Sequence, residues 1–546
     1  MTESIVATTG ASSTPASVTL IASLILLRAL VAFHPFSGEG DDHGGDAAYG
    51  GDYEAQRHWM EITLHLPVSE WYWHDLHYWG LDYPPLTAYV SLICGWLSSL
   101  LSGPESVALY ESRGYETVGH KSFMRASVLV LDVGVYFTAV WFLAGRLCRE
   151  GGAGRRWWCV GLALSQPAII LIDHGHFQYN TVALGFSLWS LYYIAKPDFF
   201  PNCIIGSVLF CLALNFKQMT LYYAPVIFAY LLGRCSQKNN ESTNFVVRFM
   251  SLGVTVVTTF AALWWPLAVY SPPNVSAAQA LLQVLKRIFP LQRGLFENKV
   301  ANVWFALSRK PFKILDRIPA ERQPLLALVV TLILIMPVCI KLFRVGQQSS
   351  RHRGDDSIVL LWGAGISALG FFLGSFQVHE KSILLALAPF TLLLTRGIGR
   401  MEWQPDGFVI WFSVLSSWSL WPLLKVDKLE MAYFAVMVLY SCVCYNCAKF
   451  RVGKCSGARD SSTNGIMRLF TSKLVIPSSC LLMICLHVIE LLVYAPSSLP
   501  DLYAVLWSCV GCGFFCWAWL YGTWFLCWGD GYSGQGNNTH ADNKLC

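Results

Sequence analysis

Residues 323–344 read QPLLALVVTLILIMPVCIKLFR, an apolar run closed by Lys341 and Arg344. A helix needs about 20 mostly apolar residues to cross a bilayer, and this run meets that length with its cations at one end. Runs of the same kind recur near 17–33, 123–147, 156–172, 179–195, 201–215, 219–233, 246–271, 356–375, 381–396, 405–424, 427–449, 470–494 and 501–528. Hydrophobic residues make up 54% of the 546 and charged ones only 13%, about half the charged share of a soluble domain. A soluble enzyme or binding module is excluded. The expectation is an all-α polytopic membrane protein of about 14 spans, folded as a single unit over 1–546.

The charges between the runs set the orientation. Arg146, Arg149, Arg155 and Arg156, then Lys196, then Arg234 and Lys238, fall in alternate loops. So do Lys341, Arg344, Arg351 and Arg353, then Arg396 and Arg400, then Lys449, Arg451 and Lys454. The positive-inside rule makes those loops cytosolic. The opposite loops, 34–122, Asp173–Asn180, Asn215–Gln218, 272–320 and Gln377–Lys381, are then lumenal. For both 34–84 and 146–156 to sit correctly, the apolar stretch 85–102 must not cross. Behind Pro84-Pro85 it is expected to be a re-entrant or membrane-surface helix. Both termini are then cytosolic. Residues 1–16 lack the basic start of a cleavable signal, so 17–33 reads as a retained signal anchor. The stretches 451–466 and 529–546 read as a cytosolic linker and tail. Asn274-Val275-Ser276 is a glycosylation sequon on the lumenal side. The 18 cysteines lack the paired spacing of a zinc site or disulfide scaffold and read as small buried hydrophobes. Membrane lipids are expected partners; nucleic acid is not.

Unusual polar residues concentrate in the lumenal loops. The first carries Gly51-Asp52-Tyr53-Glu54-Ala55-Gln56-Arg57-His58-Trp59-Met60-Glu61-Ile62-Thr63, then Tyr78-Trp79-Gly80-Leu81-Asp82-Tyr83-Pro84-Pro85-Leu86. Ala55, Trp59, Ile62 and Leu66 recur at helical spacing, with Glu54, Arg57, His58, Glu61 and His65 on other faces. An amphipathic helix at the membrane interface is expected, with Asp52 as its N-cap. Asp173–Asn180 begins as a turn between two spans, Lys217 lies in the short turn Asn215–Gln218, and His379-Glu380-Lys381-Ser382 opens a span. Asp82 shapes the turn before Pro84-Pro85. The loop 272–320 holds Arg287, Arg293 and Lys299 among Phe289, Phe296 and Trp304. That mixture suits an amphipathic cover over a lipid entrance, or equally a plain interfacial helix. A transporter, the rival from another class, would place its ionisable groups at the bilayer midplane. Here they sit at loop ends on one side, which favours transfer chemistry.

The segments Asp52–Thr63, Trp79–Tyr89, Asp173–Asn180, Asn215–Met219, Gly294–Trp304 and Gln377–Ser382 together resemble the dolichyl-phosphate-glucose-dependent α-1,3-glucosyltransferases of the endoplasmic reticulum. The wording of 54–63 and 79–88 is nearer to members adding the first glucose than to those adding the second, whose helix tends to read Glu-Val-His-Arg-Asn-Trp. Tyr49-Gly50-Gly51-Asp52 departs from the family by an extra glycine, after the acidic, Gly-rich stretch Gly38–Asp46. The resemblance implies a GT-C type fold whose lumenal first loop bears amphipathic helices. It implies a lumenal active site in the endoplasmic reticulum membrane. There an inverting enzyme moves glucose from dolichyl-phosphate-glucose to a mannose hydroxyl of a dolichyl-pyrophosphate-linked, nine-mannose oligosaccharide. The donor is a substrate, so no cofactor is implied.

Inversion needs a carboxylate base on the face opposite the leaving group, within hydrogen-bond reach of the attacking hydroxyl. Asp52 is the expected base. Taken alone it reads more readily as a helix cap worth about 1 kcal/mol, and it is the resemblance that favours the base; the two roles are compatible, since a helix N-terminus keeps a carboxylate ionised. The leaving phosphate needs only positive charge or hydrogen bonds, for which His379, Lys381, Lys217, Arg293 and Lys299 are candidates. Glu54, Arg57, His174, His176, Gln178 and Glu380 are the further candidate substrate contacts, with His176 and Gln178 positioning sugar or phosphate. Two histidines at i, i+2 beside an aspartate can begin a metal site, but no third neutral ligand is spaced to complete it. No metal is expected.

Overall fold

The computed structural model describes residues 13–40, 51–148, 152–237, 244–289, 295–296, 299–348, 356–394, 405–452 and 474–528. Arg293, the loop cations Arg149, Lys238, Arg351, Arg353, Arg396, Arg400 and Lys454, most of Gly38–Asp46 and of 451–466, and the tail 529–546 lie outside these residues. Among the described residues the regular elements are helical, and the β-type pairing is an isolated bridge between Phe296 and Val378. Among the described residues, five helices are long and apolar enough to cross a membrane: Val118–Leu147, Phe245–Val269, Ala320–Gln348, Ser357–Gly374 and Leu502–Trp528. Ser17–Val31, Pro85–Leu101, Asn202–Phe216, Gly407–Ser419 and Ile476–Leu492 are apolar but shorter.

Several expected spans are interrupted, and the interruptions fall at the polar motifs. The stretch 156–172 is a helix Gly152–Leu164, a short helix Pro167–Ile170, then a π-helical turn Leu171–Phe177. Pro167 accounts for the break, because its ring removes a donor and crowds the preceding turn. The stretch 219–233 opens as a tight turn, Gln218–Tyr223, before the helix Ala224–Cys235. Likewise 381–396 opens as the turn Glu380–Ser382 before Ile383–Leu393.

Packing follows what lipid demands. Phe245–Val269 leaves Val246, Val247, Phe249, Met250, Val254, Val257 and Trp265 exposed, an apolar surface far beyond what water tolerates and suited to acyl chains. By contrast, Ser357–Gly374 is buried almost throughout, between Ile383–Leu393 and Gln323–Gln348. Helices in lipid associate through close contact of small residues. A Cβ at Gly233 would lie 2.2 Å from the Phe343 carbonyl oxygen, and one at Gly346 2.3 Å from that of Tyr230. The helices Ala224–Cys235 and Gln323–Gln348 therefore touch backbone to backbone. The chain is a helical membrane protein.

The helix Gly51–His65 corrects two expectations. It starts at Gly51, so Asp52 lies in the first turn instead of at the cap. Gly51 takes φ +54°, and a Cβ there would strike Ser37. Nor is the helix half immersed in solvent: Tyr53 through Thr63 are all buried. Pro85–Leu101 packs along it, and Tyr78, Tyr110 and Ser112 close over its charged side. Arg57 grips Glu54 at 2.5 and 2.7 Å, Glu61 at 2.9 Å and Ser112 Oγ at 2.5 Å. Tyr78 donates to Glu54 at 2.8 Å and the Tyr110 amide to Glu61 at 2.7 Å. Buried charge is tolerated only when paired and hydrogen-bonded. Burial pushes the Glu61 carboxyl up, yet His58 and Arg57 bring it down to about 2.

The cover loop docks on this assembly. Its helix Ala277–Ile288 opens with a capping box between Ser276 and Gln279. Arg287 donates to the carbonyls of Gly80 and Leu81 at 2.7 and 3.2 Å, and Gln283 to that of Tyr72 at 3.1 Å.

Candidate active site

Four chain segments meet at the Asp52 carboxylate. His176 comes from the π-helical turn, whose last residue, Phe177, is held at φ +84°. Lys381 comes from the Glu380–Ser382 turn, preceded by Gln377 at φ +58°. Left-handed backbone at such residues costs of order 1–3 kcal/mol and tends to be retained at functional sites. Asp427 comes from the link between the helices Trp421–Val426 and Glu430–Val452.

The contacts form a chain. His176 Nε2 lies 2.7 Å from Asp52 Oδ2 and its Nδ1 2.5 Å from Asp427 Oδ2. The Lys381 ammonium pairs with the same Asp52 Oδ2 and stands 3.0 Å from His176 Nε2. Burial pushes the Asp52 carboxyl up, but Lys381 and His176 hold it well below the usual carboxylate range. His176 is raised: burial and Lys381 oppose its charge, and Asp427 and Asp52 outweigh them. Both Asp52 contacts fall on Oδ2, and a quarter of the side chain stays exposed, so Oδ1 is the oxygen open to a hydroxyl.

Beside this cluster lies a small cavity, lined by Lys217, Lys381, Asn180 and Thr220 with apolar Ala183, Leu184, Met219, Leu384 and Leu385. Lys217 donates to Gln178 Oε1 at 3.0 Å and Asn180 Oδ1 at 2.5 Å. Asp173 in turn accepts from Asn180 and from the Thr181 amide at 2.7 and 2.6 Å. Burial and Lys381 push the Lys217 ammonium down to about 8, so it keeps most of its charge at neutral pH. His379 is held well below the usual histidine value by burial and by Lys381. It is neutral, and its Nδ1 accepts from the Lys381 amide at 3.4 Å, which leaves the proton on Nε2. Burial raises the Glu380 carboxyl; its Oε2 comes within 3.3 Å of His379 without forming a hydrogen bond. Among the described residues no group of His, Cys, Asp and Glu is arranged to hold a metal ion.

This arrangement is an ionised carboxylate next to a small pocket that pairs two cations with an aliphatic wall. The sequence matches the model of the ALG6, ALG8 glycosyltransferase family over residues 24–521. The chain belongs to that family. It is similar to the dolichyl pyrophosphate Man9GlcNAc2 alpha-1,3-glucosyltransferase of Gallus gallus, 38% identical over 478 residues, covering 85% of this chain and 88% of the relative. The proteins of the same name from Rattus norvegicus and Saccharomyces cerevisiae are 37% and 36% identical over 505 and 518 residues. These alignments cover 89% and 91% of this chain, and 92% and 89% of the relatives.

In this glycosyltransferase the structure brings together Asp52, His176, Lys381, His379, Gln178 and Lys217, with Glu380 at the edge. Four candidates are not brought there. Glu54 and Arg57 are closed into the buried network of the helix Gly51–His65. His174 points the other way: its Nε2 lies 2.9 Å from Asp132 Oδ2, which also takes Arg28 Nε at 2.6 Å, all three fully buried. Lys299 pairs with Asp501 at 2.5 Å, partly exposed, away from the cluster. Arg293 lies outside the described residues. Asp427 was missed, although it marks a two-charge turn, Asp427-Lys428, between two apolar runs.

Proposed function

We propose that the chain catalyses inverting transfer of the first glucose from dolichyl-phosphate-glucose to the dolichyl-pyrophosphate-linked Man9GlcNAc2 oligosaccharide, making an α-1,3 linkage. The observation that carries this reading is the ionised Asp52 next to the cavity between Lys381 and Lys217. The acceptor's mannose hydroxyl approaches Asp52 Oδ1 and gives up its proton there as its oxygen bonds to the glucose anomeric carbon. The anomeric carbon–phosphate bond breaks on the opposite face, and dolichyl phosphate departs with one more negative charge. Lys381, Lys217 and the Nε2–H of His379 stabilise that charge, while Ala183, Leu184, Leu384 and Leu385 suit the first units of the lipid chain. No general acid is needed, because the phosphate is already a good leaving group. The relatives' names supply the acceptor and the linkage; the donor rests on the resemblance of the motifs. About 14 spans in the endoplasmic reticulum membrane, with the first loop and this site on the lumenal side, complete the proposal.

The test uses the purified full chain in liposomes with dolichyl-phosphate-glucose and the nine-mannose acceptor lipid. Asp52→Asn should lower turnover by roughly 10²–10⁴-fold, the usual worth of a general base, at unchanged thermal stability. Near-wild-type turnover by that variant rejects the assignment. A chelator should leave the wild-type rate unchanged.

A further inference from the structure

His176 is the one residue of the cluster with contacts at both ends of its ring, Asp52 at Nε2 and Asp427 at Nδ1. An imidazole can donate to two carboxylates only when both nitrogens carry protons. The second carboxylate is not incidental surface chemistry. Asp427 is buried, and its amide is tied to the Leu423 carbonyl at 3.2 Å. Its neighbour Leu429 packs so closely on Gly175 that a Cβ there would come within 3.0 Å. The link 427–429 is thus seated on the turn that carries His176. On the far side, Arg125 donates to the carbonyls of His174 and Gly175 at 2.6 and 2.8 Å.

We propose that Asp427 is a positioning residue for glucose transfer: through His176 it holds Oδ2 of Asp52 and so aims Oδ1 at the acceptor hydroxyl. This rests on Asp52 being the base. The logic matches other sites in which an outer carboxylate orients the histidine that acts on the reacting group. Asp427 keeps the Nδ1 proton in place, which fixes the ring and favours the doubly protonated form. That cation stands beside Asp52 and keeps it ionised. The other charged or titratable groups facing His176 are Lys381, His379 and Glu380 at the Glu380–Ser382 turn, while Lys217 acts on Asp52 and Arg125, from Val118–Leu147, acts on Asp427. Lys381 opposes the His176 charge, and Asp427 offsets it.

The liposome assay tests this directly. Asp427→Asn should lower kcat by roughly 10–100-fold, as loss of an orienting outer partner commonly does, with the donor KM unchanged. With its Asp427 partner neutralised, His176 loses its proton at lower pH. Asp52 then loses its cationic positioning partner at lower pH, and the alkaline limb of kcat/KM moves to lower pH. Asp427→Glu should recover most of the rate. In a His176→Gln background Asp427→Asn should cost nothing further, since both act through one contact. Asp427→Ser replaces Asp427→Asn if the latter does not fold. A wild-type kcat with an unmoved limb, or losses that simply add in the double variant, overturns the proposal. Asp52→Asn, run alongside, separates the outcomes: an active Asp52→Asn enzyme defeats the base assignment itself, whereas an inactive one beside an unaffected Asp427→Asn enzyme defeats only this inference.

Discussion

Two carboxylate–histidine–cation clusters hang on the same π-helical turn, and they have nearly the same wiring. Asp52 Oδ2 takes His176 and Lys381; Asp132 Oδ2 takes His174 and Arg28. The difference lies in what surrounds the second oxygen. Asp132 Oδ1 is sealed in without a hydrogen-bond partner, while the Asp52 side chain keeps a quarter of its surface open beside a cavity. Composition and pairing therefore do not tell a reacting carboxylate from a structural one. Access to the remaining lone pairs does.

Breaking the sealed cluster should have the largest effect and the wrong kind for a catalytic residue. Removing one partner of a buried ion pair commonly costs about 3–5 kcal/mol. Asp132→Asn should accordingly lower the unfolding temperature of the detergent-purified protein sharply, while turnover per folded molecule in the cold stays within about twofold, below a 1 kcal/mol effect. A selective loss of kcat at normal stability would erase the contrast drawn here.

Lys381→Met probes the open cluster. A charge-assisted contact is worth about 1.5–3 kcal/mol, so turnover should fall roughly 10–100-fold with little change in stability. Because Lys381 depresses the Asp52 carboxyl, its loss raises that carboxyl. The acid limb of kcat/KM, below the ordinary aspartate value of about 3.9 in wild type, should move upward. A limb that stays in place would detach Lys381 from the base.

The smallest effect should come from His174→Gln, since Arg28 still pairs with Asp132. About 1 kcal/mol of stability is expected, with kcat retained, whereas His176→Gln, only two positions on, should depress kcat. Equal kinetic losses in the two variants would show that the turn does not sort its histidines.

Much of this was readable in the chain. Apolar runs located the helices, Pro84-Pro85 announced a helix start, and Lys217, His379 and Lys381 were conspicuous as polar residues in short links between hydrophobic segments, whereas the break at Pro167 went unread inside the run 156–172. His174 and His176 were not separable, because two histidines at i, i+2 carry the same label and only the wide turn sends them to opposite sides. The charged face of 53–63 suggested solvent; Ser112 and Tyr110, which bury it, lie some fifty positions away and leave no local trace. Asp427 carried the same cue as Lys217, a charged link between two apolar runs, but its partner is 251 positions distant.

The seven-residue turn Leu171–Phe177 has a genetic corollary. Its inner histidine helps hold the fold and its outer one the site, so lesions at Arg28 or Asp132, remote from any sugar, belong among conditional alleles. Cells carrying them would glycosylate normally when grown cool and accumulate unglucosylated precursor on warming.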